Sequence, residues 1–150
     1  MRTRIPPLVQ LILCGLVAWL VAKGLSEYTF VSVAIRSTGW ALIALGSFVL
    51  LLSIRSFVGE KTTVNPLSPG QVNTLVTTGL YRYSRNPMYV GMALLLAGFA
   101  LLLQNLAALI SPILFMLSVS HLQIIPEERV LKAKFGQSFT AYCQATRRWL

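Results

Sequence analysis

Asn86–Pro126 reads NPMYVGMALLLAGFALLLQNLAALISPILFMLSVSHLQIIP, 41 residues without one Asp, Glu, Lys or Arg. A transmembrane helix needs about 20 predominantly apolar residues. The run is therefore long enough for two spans, and the polar pair Gln104-Asn105 near its middle is the expected turn. Two more uncharged stretches, Ile5–Ala22 and Ser37–Ile54, fit one span each. The expected spans are about residues 8–22, 38–57, 88–103 and 106–125, followed by a C-terminal segment 126–150. This predicts an all-α membrane protein with about four transmembrane helices, organised as one domain over 1–150 with no internal repeat.

The rest of the composition agrees. Hydrophobic residues make up 55% of the chain and charged residues 11%, against about 25% charged in soluble globular domains. Lys61–Arg82 is bracketed by charges too, but its interior, TTVNPLSPGQVNTLVTTGLY, is polar and rich in Pro and Gly, so it reads as a loop. The first span follows Arg2 and Arg4 as a signal peptide would. Ala22-Lys23-Gly24 is no small-x-small cleavage site, however, so the segment is read as a span. With both termini inside, eleven of the thirteen Lys and Arg residues face the cytoplasm, as the positive-inside rule prefers. The net charge of +9 thus reads as topology, and nucleic-acid binding is not expected. A chain without a targeting segment fits a prokaryotic inner membrane.

Spans one and two are expected to form a hairpin through Glu27-Tyr28, and spans three and four a tighter one. Gly91 and Gly98 lie seven apart on one helical face, where they allow close helix packing. After Pro126, Leu131, Phe135, Phe139 and Tyr142 recur at near-helical spacing. They predict an amphipathic helix, broken or bent at Gly136. Cys14 in span one and Cys143 near the C-terminus are not expected to pair.

Polar chemistry gathers at the mouth of the third span. Gly79–Gly91 reads GLYRYSRNPMYVG. Pro87 suits the first helical position and Asn86 an N-cap. The positive end of that helix, with Arg82 and Arg85, favours an anionic group. Tyr81, Tyr83 and Tyr89 can stack on a flat ring or shield a cation. The plainer reading is an interfacial belt of Arg and Tyr. Glu127 and Glu128 are half of the acidic residues of the chain. They stabilise a first helical turn, or serve as ligand carboxylates. They bracket, with Tyr81–Tyr89, one tight hairpin, so both segments must reach the same membrane face. His121, inside span four, is a candidate because ionisable residues within spans are functional by default. Arg147-Arg148-Trp149 is an interface anchor, or returns to bind a carboxylate or phosphate. No Cys/His cluster with metal spacing and no Gly-rich phosphate loop occurs, so no metal is expected.

GLYRYSRNPMYVG, an apolar hairpin and then PEERVLKAKFGQSFTAYCQATRRWL resemble the integral-membrane methyltransferases, which comprise isoprenylcysteine carboxyl methyltransferases and phospholipid methyltransferases. The resemblance covers about Gly79–Leu150. It implies packed transmembrane helices, a cytosolic loop and a C-terminal helix closing a pocket for S-adenosylmethionine, with a lipid or lipophilic small-molecule acceptor entering from the bilayer. Carried over by position, it assigns Tyr81, Arg82, Tyr83, Pro87, Tyr89, Gly91, Glu127 and Glu128 to the cofactor, with His121 added from its place in span four. It sets Arg85, Asn86 and Glu128 nearest the reaction, and Arg148 and Trp149 at the acceptor. Many members have histidine where this chain has Asn86, so no proton transfer is assigned there. The acceptor is an isoprenylcysteine-type carboxylate, a phospholipid amine or a small thiol. The rival readings are an NADPH-dependent membrane reductase of the sterol or steroid reductase type, whose members are typically larger, and a non-enzymatic scaffold on anionic lipid.

Overall fold

The computed structural model describes residues 5–59 and 75–150, and the side chains of all of these but 57–59. Among them are five α-helices and no strand: α1 (Pro7–Gly24), α2 (Val33–Gly59), α3 (Pro87–Leu102), α4 (Ile110–Val119) and α5 (Ile125–Ala145). A π-helical turn, Ser120–Ile124, joins α4 to α5. Three stretches are long and apolar enough to cross a membrane, Pro7–Gly24, Val33–Ser56 and Leu106–Ala145. The helix α3 is apolar but has 16 residues, about 24 Å at a rise of about 1.5 Å per residue. Most of the expected loop over Lys61–Arg82 lies outside the described residues.

The turn is where the uncharged run placed it. Gln104 takes a left-handed backbone, φ 49°, and the Asn105 side chain accepts from the Ala107 N–H at 2.9 Å. Both side chains are buried and tie this turn to the connection between α1 and α2. Asn105 Nδ2 donates to the Leu25 carbonyl at 2.7 Å, and Gln104 Nε2 to the Ser32 carbonyl at 2.9 Å. With little water nearby, each such bond satisfies a backbone carbonyl that would otherwise be costly to bury.

Helices α2 and α3 run antiparallel with their backbones in contact. Gly39 faces Gly98 and Gly46 faces Gly91, two pairs with the same seven-residue spacing. A Cβ on Gly98 would stand 2.6 Å from the Gly39 carbonyl oxygen, and one on Gly46 would stand 2.8 Å from that of Gly91. The expected close packing at Gly91 and Gly98 is therefore present, and its partner is α2.

Two expectations about connectivity are corrected. Spans one and two are joined by a short loop, yet α1 packs against α3 and α4, not against α2. Polar side chains explain the choice. Ser118 Oγ donates to Gln10 Oε1 at 2.9 Å, and Gln10 Nε2 and Gln123 Nε2 both donate to the Ile5 carbonyl, at 2.9 Å and 2.6 Å. The second correction concerns Pro126, which does not separate span four from the tail. The backbone stays helical through Pro126, because the Ile125 N–H bonds back five residues to Ser120. That wider turn seats a proline, which lacks an N–H, without ending the helix. The break falls at Gly136 instead, as expected, with φ 51° and ψ −118°.

Candidate active site at the start of α3 and α5

Tyr81–Tyr89 and Glu127–Glu128 come together, and the C-terminal residues close over both. The one-turn helix Gly79–Arg82 leads into Pro87, the first residue of α3. The buried Tyr81 offers its carbonyl to the Tyr142 hydroxyl at 2.7 Å. Burial pushes the phenols of Tyr81 and Tyr142 well above their ordinary values. Around Tyr81, neighbouring Tyr142 and Glu127 add to that shift. Both rings are therefore neutral in the fold, and the unfolded chain ionises first. Their contribution to stability is complete below about pH 10 and is lost as pH rises above it. The thermal midpoint of the detergent-solubilised protein is expected to fall between about pH 9 and about pH 11, and to fall less steeply in Tyr142→Phe.

Glu128 is the hub of the charged network. Its Oε2 takes Arg148 Nη2 at 2.7 Å, and its Oε1 takes Arg85 Nη2 at 2.9 Å and Arg148 Nε at 3.1 Å. The Arg85 side chain is 13% exposed, that of Glu128 20% and that of Arg148 41%. Hydrogen bonding to Glu128 pushes the Arg148 guanidinium up in spite of its partial burial, so it stays charged. Arg85 Nη1 also donates to the carbonyls of Cys143 and Thr146, at 3.0 Å and 3.1 Å. Its Nε is buried with no hydrogen-bond partner among the described residues. Next door, the Tyr89 hydroxyl donates to Glu127 Oε1 at 3.1 Å.

The tail returns to this network and does not end as a free interface anchor. The Arg85 N–H donates to the Arg147 carbonyl at 2.9 Å. Asn86 Nδ2 donates to the Arg148 carbonyl at 2.9 Å. Asn86 thus holds the N-cap position of α3 without a capping bond from its side chain. Trp149 packs against the apolar cluster of Tyr89, Leu96, Phe115, Val119 and Ile124.

Residues 34–138 match the phospholipid methyltransferase family. The chain belongs to that family. An uncharacterized protein of Haemophilus influenzae is 40% identical over 63 residues, which are 42% of this chain and the whole of that protein. No solved structure matches the chain significantly. Family membership, together with the apolar helices, makes this a multi-pass membrane protein of a methyltransferase family.

Within this family member, the residues expected to act together divide into two groups. Tyr81, Arg85, Asn86, Tyr89, Glu127, Glu128 and Arg148 share one hydrogen-bonded neighbourhood. Pro87 starts α3 and is buried beside them. Arg82 and Tyr83 are exposed, though the Arg82 carbonyl accepts from Thr146 Oγ1 at 3.3 Å. Gly91 is occupied by its contact with α2. His121 is exposed in the π-helical turn and takes no part in the network. The hydrogen bond of Tyr142 was not read from the sequence, which placed the residue only in the closing C-terminal helix. Its hydroxyl was the signal, since a buried tyrosine needs a hydrogen-bond partner.

Proposed function

We propose that the protein transfers a methyl group from S-adenosylmethionine to a lipophilic acceptor at the cytosolic membrane face. The observation that carries this reading is the closure of Arg85, Glu128 and Arg148 into one network, beside the Tyr89–Glu127 bond, at the end of a membrane hairpin, inside a methyltransferase family. The donor set suits the cofactor. The carboxylates of Glu127 and Glu128 would supply the negative charge that a sulfonium and an ammonium group need. The buried Arg85 Nε, without a partner among the described residues, is a donor that a carboxylate would satisfy. When bound, the cofactor supplies an activated methyl group and a neutral leaving group. The protein has to align donor with acceptor, a contribution of roughly 7–11 kcal/mol to lowering such barriers.

The chain's residues divide that work. Arg85 and Arg148 fix Glu128, so a carboxylate stays in place without water. Tyr89 holds Glu127 through its hydroxyl, and Trp149 with the apolar cluster keeps the bilayer side dry. An anionic acceptor gains from a dry site because charge is neutralised as it reacts. An amine acceptor must first give up a proton, and Glu127 is the carboxylate in reach of that role. The domain is a single unit over 1–150 with both termini cytoplasmic.

Calorimetric titration of the solubilised protein with S-adenosylhomocysteine, beside NADPH, tests the cofactor. Saturable binding of the first alone is expected, with loss of at least tenfold in affinity in Glu127→Gln/Glu128→Gln at an unchanged helical content. Binding of NADPH alone, or unchanged affinity in the double variant, rules the assignment out.

A further inference from the structure

Residues 147–150 are fastened over the charged network by bonds that can part together. The helix α5 gives way at Thr146 to extended backbone, φ −131° and ψ 132°. Thr146 itself is fixed. It is buried, its carbonyl accepts from Arg85 Nη1 at 3.1 Å, and its hydroxyl donates to the Arg82 carbonyl at 3.3 Å. Beyond it the chain runs beside the start of α3, with Arg147 bridged to Ser84. The Arg85 N–H donates to the Arg147 carbonyl and Asn86 Nδ2 to the Arg148 carbonyl, both at 2.9 Å. Neither bond belongs to a helical ladder, so both break without unwinding α3 or α5.

These four residues shut the site on two sides. On the charged side, Arg148 spans both oxygens of Glu128, so a cationic group that needs this carboxylate finds Arg148 already there. On the apolar side, Trp149 packs against the cluster of Tyr89, Leu96, Phe115, Val119 and Ile124. The two arginines on Glu128 differ in what release costs them. Arg85 is 13% exposed and is also bonded to the carbonyls of Cys143 and Thr146, so it stays. Arg148 is 41% exposed, and its guanidinium returns to water with little change in solvation. A partly exposed ion pair is a weak, salt-sensitive fastening, suited to a part that opens and recloses.

We propose that residues 147–150 are a strap that lifts about Thr146, with the Arg148–Glu128 pair as its latch and Trp149 as its plug. Lifting frees one side of Glu128 and withdraws the indole from the apolar cluster in a single movement. The site then opens toward water and toward the bilayer together, and the strap is the gate for ligand exchange. That the ligand admitted is S-adenosylmethionine rests on the functional reading above, whereas the movement of the strap does not.

Hydrogen exchange of the Arg85 amide in the ligand-free, solubilised full chain reads the strap by itself, because that amide is bonded to the Arg147 carbonyl. The wild-type rate should rise with added NaCl as the latch is screened. Arg148→Gln should exchange roughly tenfold faster and without salt dependence. Arg148→Lys should fall between the two, and Trp149→Ala should also exchange faster than wild type. Surface plasmon resonance with S-adenosylhomocysteine then separates a gate from a contact. A gate slows entry and exit alike, so Arg148→Gln should raise the association and dissociation rates by a similar factor, roughly fivefold, with affinity nearly unchanged. Unchanged Arg85 exchange in Arg148→Gln overturns the latch. Faster dissociation at an unaltered association rate makes Arg148 a ligand contact and overturns the gate. Wild-type protein that binds no S-adenosylhomocysteine strikes the functional reading instead, while fast, salt-independent exchange in Arg148→Gln still upholds the strap.

Discussion

Glu128→Ala is expected to release the C-terminal residues and to lower affinity for S-adenosylhomocysteine by at least a hundredfold. Glu128 accepts three hydrogen bonds from two guanidinium groups, at 2.7, 2.9 and 3.1 Å. Removing it leaves Arg85, whose side chain is only 13% exposed, with an uncompensated charge. Breaking a buried pair from one side costs about 3–5 kcal/mol. The partial exposure of Arg148 reduces this to roughly 2–3 kcal/mol here. Arg148→Ala should cost less, because that side chain is 41% exposed and its carbonyl bond to Asn86 survives. Limited trypsin digestion reads the difference directly. Cleavage after Arg147 should speed up strongly in Glu128→Ala and modestly in Arg148→Ala. Equal digestion of all three proteins contradicts the role of Glu128 as the hub.

Gly98→Leu should prevent recovery of a monodisperse, folded protein. A Cβ at this position would stand 2.6 Å from the Gly39 carbonyl oxygen and 2.8 Å from the Ile43 side chain. The first of these neighbours is backbone and cannot rotate away, so α2 and α3 must separate. Even Gly98→Ala is expected to cost about 1–3 kcal/mol, the usual range for overpacking. Gly24→Ala makes a suitable control, since nothing lies within 4 Å of its Cβ position and the residue ends α1. Thermal unfolding in detergent should rank Gly24→Ala near wild type, Gly98→Ala well below it and Gly98→Leu lowest. A Gly98→Leu protein that melts with the wild type contradicts the helix contact.

The sequence carried the outline of this fold because the membrane imposes it. An uncharged run of 41 residues broken by Gln104-Asn105 admits few shapes other than a hairpin, and Gly91 and Gly98 marked the face that meets a neighbour. The identity of that neighbour was harder to read. Lipid tails are as apolar as a protein interior, so the hydrophobic pattern of α1 does not reveal which face is buried. The pairing of α1 with α4 rests on Gln10, Ser118 and Gln123, three scattered polar residues with no periodic signature. The continuous helix through Pro126 depends on a π-helical turn, which no residue pattern announces.

The candidate site was legible to the extent that topology forces distant segments together. Tyr81–Tyr89 and Glu127–Glu128 had to share one end of the hairpin, and they do. The division of labour between the two glutamates required geometry, because adjacent carboxylates on a helix look alike in sequence. Glu128 points to two arginines and Glu127 to the Tyr89 hydroxyl. His121 is a separate case. A histidine inside an apolar span drew a functional reading, but the π-helical turn leaves it exposed and apart from the network.

Transfer of labelled methyl from S-adenosylmethionine into the organic-soluble lipid fraction tests the account most directly. Purified protein in vesicles of mixed bacterial phospholipid should incorporate label in a time-dependent manner, and Glu127→Gln/Glu128→Gln should reduce the rate at least a hundredfold. A folded wild-type sample that binds S-adenosylhomocysteine yet labels no lipid, or a double variant that labels lipid at the wild-type rate, contradicts it.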